Sequence, residues 1–114
     1  MIAVIFELTP AEGRFADYKR LAEELSAELK KIDGFLSVER FESISRPGHF
    51  VSLSFWRDEE AVRQWRNLAN HRAAQKQGRA GIFRSYRLRV ANVIRDYTME
   101  ERSEAPADSV SVHG

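Results

Sequence analysis

The chain contains no cysteine among its 114 residues. It can therefore form no disulfide, offers no thiolate nucleophile, and cannot hold zinc or an iron–sulfur cluster through cysteine. No run of about 18 apolar residues is present, so no segment is predicted to span a membrane. The apolar residues 1–8 lack the basic leader and the small-residue cleavage site of a secretory signal. These absences predict one cytoplasmic domain, in keeping with the length.

Net charge is also small, because 18 Lys and Arg stand against 17 Asp and Glu. The near balance hides an uneven distribution. Residues 61–95 hold nine basic residues and no acidic one, whereas residues 100–114 hold four acidic residues and one arginine. A basic stretch can indicate nucleic-acid or anion binding. Here Arg87 and Arg89 alternate with apolar residues, as on the solvated side of an amphipathic strand, so we expect no nucleic-acid partner.

The apolar pattern predicts six elements in the order β-α-β-β-α-β, the arrangement of ferredoxin-like folds. We expect an α+β domain over residues 1–98, with a ferredoxin-like βαββαβ protomer and an antiparallel four-stranded sheet. The clearest element is the first helix, in which apolar residues recur every three or four positions from Phe15 to Ile32. Residues 99–114 are acidic and poor in apolar side chains, which predicts a disordered tail.

Local signals predict where the helices begin and end. Thr9 followed by Pro10 is typical of an N-cap and a first helical position. Gly34 can adopt a left-handed conformation after the first helix. Asp58 is predicted to cap the second helix, and Asn70 a further helical stretch through about Gly78.

Two features of the predicted hairpin bear on assembly. The apolar alternation changes phase between Val38 and Phe41, which indicates a bent or bulged strand. The next strand carries aromatic side chains on both faces, with Phe55 on one and Trp56 on the other. Helices on one side of a four-stranded sheet leave the other side bare, so we expect the sheet of a second copy to cover it in a homodimer.

Short motifs along the chain support a family resemblance. An Asp-Gly-Phe-Leu sequence at residues 33–36 follows the long helix, and residues 55–61 (Phe-Trp-Arg-Asp-Glu-Glu-Ala) run from strand into helix. Trp65, residues 71–75 (His-Arg-Ala-Ala-Gln) and a closing Tyr-x-x-x-Val strand from Tyr86 complete the set. In order and spacing, residues 2–97 resemble the antibiotic biosynthesis monooxygenase family. The resemblance implies a ferredoxin-like protomer in a dimeric α+β barrel.

The haem-degrading branch of that family implies one set of site residues. It has an Asn in the first strand, a Trp in the second helix and a His ten residues later. Here Trp65 matches the Trp, whereas Phe6 and Gln75 stand near the other two positions. Glutamine is a poor substitute for imidazole on haem iron, so haem is the alternative cofactor and no cofactor is the first expectation.

The branch that oxidises aromatic polyketides with O2, without metal or organic cofactor, implies another set. Its Trp at the end of the third strand is matched by Trp56. Its polar partners on the preceding strand and in the following helix correspond to Ser52 and Val62. The resemblance thus supports an apolar pocket more firmly than one particular reaction.

His71, Gln75 and Arg79 are the candidates for chemistry, because four-residue spacing aligns them on a regular helix. His71 can serve as a general base near neutral pH, Arg79 can stabilise a phenolate or enolate, and Gln75 can orient the substrate. The alternative is a structural role for both residues. A lone His on a helix is often a surface residue, and Arg79 can interact favourably with the negative C-terminal end of the helix dipole. If the catalytic alternative holds, His71 and Arg79 are the predicted catalytic residues.

The predicted substrate-binding residues are aromatic or polar; they are Trp56, Trp65, Gln75, Ser52, Phe83 and Tyr86. Either Trp can also be core or interface packing. The three His are far apart without carboxylates at ligand spacing, so no metal site is predicted. We therefore expect a cofactor-independent monooxygenase acting on an aromatic or polyketide-like molecule with O2. The alternatives are a haem-degrading relative and a non-catalytic dimer that binds an apolar small molecule.

Overall fold

The computed structural model describes residues 1–75 and 81–108, with the backbone alone for residues 69–75. Its elements are β1 (Ile2–Pro10), α1 (Phe15–Leu29), β2 (Phe35–Glu42), β3 (Phe50–Trp56), α2 (Glu59–Gln75) and β4 (Phe83–Asn92). The strands form one antiparallel sheet in the order β2-β3-β1-β4. This confirms the predicted ferredoxin-like α+β fold and its βαββαβ order.

The helices pack on one face of the sheet, here called the helix face. Alternate residues of β1 point to this face, and they divide between two clusters of buried side chains. One cluster joins Ile2 and Val4 to Trp56 and to Ala61 and Val62 of α2. The other contains the following buried residues: Leu8, Tyr18, Ala22 and Ile82. The apolar stripe of α1 therefore reaches the sheet as its periodicity predicts.

The predicted start of the first helix is wrong. Thr9 and Pro10 belong to β1, and α1 begins after Arg14, whose side chain makes no capping hydrogen bond. Pairing with β4 explains the difference, because Thr9 and Pro10 continue the β1 ladder and the Ala11 N–H donates to the Ile82 carbonyl at 2.7 Å. Tertiary pairing thus prevails over a local capping motif.

The other helix signals give mixed results. Gly34 has φ +92°, which confirms its left-handed role after α1. Asp58 caps α2 as predicted, since its Oδ1 accepts the Ala61 N–H at 3.0 Å. Asn70 does not begin a new helix, because α2 runs unbroken from Glu59 to Gln75. The predicted continuation to Gly78 lies outside the described residues.

β2 contains a bulge as predicted, but it lies before Val38; between Val38 and Phe41 the pairing with β3 is regular. Phe35 pairs with Trp56 and Ser37 with Phe55, so Leu36 is an extra residue on β2. Beyond the bulge, Val38 faces the helices and Phe41 faces the opposite side of the sheet, as predicted.

That opposite side, here called the open face, is apolar at its centre. Ile5, Leu53 and Phe55 lie there half-buried, and Phe41 is 46% exposed. The aromatic residues of β3 therefore occupy both faces, in agreement with the prediction.

The chain leaves the sheet at Asn92, where β4 ends. The Val93 N–H still donates to the Met1 carbonyl at 2.9 Å, and Thr98 accepts N–H groups from Glu100 and Glu101 in a turn. Disorder of residues 99–114 stays a prediction. Within the described residues, no helix has the length and apolar character needed to cross a membrane.

Candidate active site

A cavity of about 210 Å³ lies between the helix face of the sheet and the helices. The helices contribute mostly apolar side chains, namely Tyr18, Leu21, Ala22, Leu25, Leu29 and Trp65. The apolar residues contributed by the strands are Val4, Phe6, Val38, Trp56, Phe83 and Leu88. Such a lining favours an apolar ligand and excludes water from it.

The two tryptophans form the wall at one end of the cavity. Trp56 is only 1% exposed, and its ring lies 5.3 Å from Phe35 and 6.0 Å from Trp65, measured between centroids. Its Nε1–H donates to Ser54 Oγ at 2.9 Å, which fixes the indole in one orientation. Both predicted tryptophans therefore line the cavity, and Trp56 is part of the core as well.

Phe83 and Tyr86 lie at the other end of the cavity. Phe83 lines it and meets the ring of Phe6 edge-on at 5.7 Å. Tyr86 packs on Phe6 and Phe83 at 5.6 and 6.3 Å but is 67% exposed and lies outside the lining. The structure thus brings Phe83 into the site directly and Tyr86 only behind it.

Besides Ser54, three side chains with polar groups interrupt the apolar lining: Ser52, Arg40 and Tyr18. Ser52 of β3 lines the cavity and pairs in register with Arg40 of β2, which also faces it. The Arg40 Nη1–H donates to Ser26 Oγ at 2.7 Å, which ties the guanidinium to α1. Burial lowers the pKa of Arg40, and burial likewise raises the pKa of the Tyr18 phenol, against a smaller opposite effect of Arg40.

The sequence-based prediction missed Arg40 and Tyr18 as site residues. Tyr18 belonged to the apolar stripe of α1, where an aromatic side chain is expected in the core. Arg40 carried a usable signal, because it stands two residues after Val38 and strand alternation puts both on the same face. An arginine at an inward position of a strand is uncommon and marks a buried polar site.

The predicted catalytic residues fall in and beyond α2. His71 and Gln75 lie in this helix, one turn apart on the backbone, but their side chains are outside the described residues. Arg79 lies wholly outside them. Val62 is described, and it packs in the core with Trp56 and does not line the cavity.

His49 belongs to a separate polar cluster on the open face. Its Nδ1 is 3.1 Å from Thr9 Oγ1 and its Nε2 is 3.5 Å from Glu7 Oε1. Arg89 also hydrogen-bonds Glu7, and the hydrogen bonds from His49 and Arg89 lower the pKa of that carboxyl. In the part of the chain that the structure describes, no three His, Asp or Glu side chains are grouped to hold a metal ion.

The sequence of residues 1–77 matches the antibiotic biosynthesis monooxygenase family. The chain belongs to that family. It is 48% identical over 93 residues to a jasmonate monooxygenase of Pyricularia oryzae, covering 82% of this chain but 43% of that longer protein. It is 32% identical over 101 residues to the Bacillus subtilis protein YqjZ, covering 89% of this chain and 86% of that one. The resemblance inferred from the motifs is confirmed.

Solved structures share the fold at low sequence identity. SnoaB of Streptomyces nogalater, a cofactor-independent oxygenase, superposes with a TM-score of 0.67 at 14% identity, covering 88% of this chain and 97% of SnoaB. The heme-degrader MhuD of Mycobacterium tuberculosis, with two hemes in its active site, gives 0.66 at 17% identity, covering 86% of this chain and all of MhuD. These likenesses establish the fold, and both chemistries occur on it.

The described lining does not fit a haem group. Haem iron is held by imidazole, thiolate, thioether or phenolate ligands. Among the lining side chains that the structure describes, Tyr18 is the one with such a group, and burial raises the pKa of its phenol, which disfavours the phenolate that iron needs.

Proposed function

We propose that the protein is a cofactor-independent monooxygenase that oxidises an aromatic or polyketide-like small molecule with O2. The observation that carries the proposal is the apolar cavity walled by Trp56, Trp65 and Phe83, on a chain of the monooxygenase family. Aromatic walls of this kind stack against planar substrates and keep water from the reacting carbon.

The reaction balances without an external reductant when the substrate carries an activated CH2, as in an anthrone. A base removes a proton, the carbanion passes one electron to O2, and the two radicals combine to a peroxide. Loss of water from the peroxide leaves a ketone, so CH2 and O2 become C=O and H2O. The substrate supplies all four electrons, and one oxygen atom of O2 remains in the product.

Each predicted site residue takes one role in this proposal. His71 is the general base, because imidazole titrates near neutral pH. Arg79 stabilises the enolate that forms when the proton leaves, and Gln75 orients the carbonyl. Trp56, Trp65, Phe83 and Ser52 bind the ring system, with Tyr86 supporting Phe83 from behind.

A homodimer completes the proposal. The open face presents Ile5, Leu53, Phe55 and Phe41, and a second sheet packed on it would bury these side chains. Light scattering at micromolar concentration is expected to report twice the mass of the chain. A monomer under these conditions would contradict the barrel interface.

Oxygen consumption with a panel of anthrones and hydroquinones tests the activity. Jasmonate joins the panel together with ascorbate as a reductant, because the fungal relative is named a jasmonate monooxygenase. On an active substrate, His71→Ala is expected to lower turnover by about 10²–10⁴-fold, the usual contribution of a general base. The matched control is His49→Gln, which changes a histidine outside the cavity; equal turnover in both variants would refute the role of His71.

Haem titration tests the alternative cofactor. We expect no stoichiometric shift of the Soret band, because the described lining does not fit the group. A saturable shift at one haem per chain would instead favour the haem-degrading alternative.

A further inference from the structure

Arg40 is an exception in the wall of the cavity. It lies on β2 opposite Ser52, faces the helices, and is surrounded by a lining that is otherwise almost entirely apolar. A guanidinium that is partly removed from water is unfavourable unless an anion or several hydrogen bonds replace the lost hydration. The positive charge of Arg40 at this position therefore needs a compensating partner.

The described residues compensate Arg40 only in part. A guanidinium has five N–H donors. Among residues 1–75 and 81–108, Nη1 donates to Ser26 Oγ, and no carboxylate forms an ion pair with Arg40. Two arginines at the start of α1 differ, since Arg14 and Arg20 both pair with Asp17. Arg40 is thus held in place by α1 but lacks an anionic partner in the described part of the chain.

The Tyr18 hydroxyl adds a second polar group at the same place. Tyr18 is 6% exposed, lines the cavity and lies close enough to Arg40 for the cation to affect its titration. Its hydroxyl is fully buried beside the Arg40 guanidinium, which can only donate to it, and within the described residues no acceptor takes its O–H. Buried hydroxyl groups are nearly always hydrogen-bonded, so this one indicates a missing acceptor.

We propose that Arg40 and the Tyr18 hydroxyl bind the carboxylate of a ligand whose remaining part is apolar. The proposal rests on the proposed function in that the ligand occupies the same cavity, and it adds the chemical class of the substrate. A guanidinium donates two parallel N–H groups to a carboxylate, and a phenol O–H can donate a third hydrogen bond to it. Arg40 and Tyr18 then determine specificity by binding and take no part in bond breaking.

The volume limits the apolar part of the ligand. An apolar cavity of about 150 Å³ accepts benzene. A cavity of about 210 Å³ has room for one ring with a short acidic chain. 3-Phenylpropanoate is therefore a suitable probe, and 3-phenylpropanamide is its neutral counterpart of nearly equal shape.

Isothermal titration calorimetry of the full chain with both probes tests the proposal. The acid is expected to bind at least about tenfold more tightly than the amide, because a hydrogen bond to a charged group contributes that much. Arg40→Met is expected to abolish this preference, Arg40→Lys to retain part of it, and Tyr18→Phe to weaken acid binding more than amide binding. Arg20→Met removes one exposed arginine from α1 and is expected to keep the preference.

Several results would overturn the proposal. The first is equal binding of acid and amide by the unaltered protein, a comparison that needs no variant to fold. The second is an unchanged preference in Arg40→Met, and the third is no binding of the acid at millimolar concentration. The titrations are run without O2, so binding is measured apart from turnover. Acid preference without oxygenase activity would refute the proposed function alone, and oxygenation of neutral substrates without acid preference would refute this inference alone.

Discussion

Replacing Gly34 by alanine tests how closely the loop after α1 approaches α2. Gly34 has φ +92°, and a Cβ built there would lie 2.8 Å from the Ala61 Cβ and 3.2 Å from Arg57 Nη2. The arginine can move, whereas Ala61 is part of a helix and is 1% exposed. Two separate effects are therefore expected: backbone strain and overpacking.

Their sizes follow from known ranges. The left-handed conformation costs alanine about 1–2 kcal/mol, and overpacking costs about 1–3 kcal/mol. The lower entropy of the unfolded alanine chain offsets about 0.4–1 kcal/mol. Gly34→Ala is thus expected to lower the free energy of unfolding by about 1–4.6 kcal/mol, with a central value near 3 kcal/mol, a large part of the stability of a small domain.

Gly13→Ala is the matched control. Gly13 also has a positive φ, +74°, but its Cβ would meet nothing within 4 Å. Only the strain applies there, so a loss of about 1 kcal/mol is expected. Urea unfolding followed by tryptophan fluorescence measures both variants. Equal losses in the two would refute the close approach of Gly34 to Ala61.

Three further predictions concern the core, the cap and the cavity wall. Leu8→Ala is expected to cost about 2–5 kcal/mol in urea unfolding because Leu8 is fully buried, whereas Ile44→Ala, at a fully exposed position, should stay within about 0.5 kcal/mol. Asp58→Asn keeps a capping side chain, so stability near pH 7 should change little. The hydrogen bond from the Ala61 N–H and the contact with Arg57 lower the pKa of Asp58 from 3.8. The stability that the Asp58 carboxylate contributes is therefore present above pH 3.8 and lost as the pH falls through the lowered pKa. Because asparagine does not titrate, Asp58→Asn should lose less stability in acid than the unaltered protein. Trp65→Phe leaves the buried Trp56 as the sole tryptophan, and Trp56→Phe leaves Trp65. Acrylamide should quench the tryptophan fluorescence of Trp65→Phe less than that of Trp56→Phe, and the reverse order would contradict the burial of Trp56 in the cavity wall.

Much of the fold is predictable from side-chain periodicity. The stripe containing Tyr18 and Ala22 defines the buried side of α1, and alternation in β3 separates Phe55 from Trp56. Both patterns report burial, the dominant contribution to folding. The start of α1 was not predictable from Thr9 and Pro10, because the pairing of β1 with β4 joins residues far apart in sequence.

The candidate site was predictable in part. Trp56, Trp65 and Phe83 line the cavity because large aromatic side chains pack into the core, and Ser52 was also among the predicted residues. Arg40 escaped prediction because a charged residue in a strand is usually solvated, although alternation from Val38 places it on the helix face.

The central claim is that the cavity binds a small molecule and oxygenates it with O2. The most direct test supplies ¹⁸O2 to the protein with the panel compound that supports oxygen consumption and analyses the product by mass spectrometry. One ¹⁸O atom per product molecule is expected, and Ala22→Phe, which fills the cavity from α1, should suppress its formation while the protein stays folded. Product without ¹⁸O, or undiminished labelled product from folded Ala22→Phe, would contradict the claim.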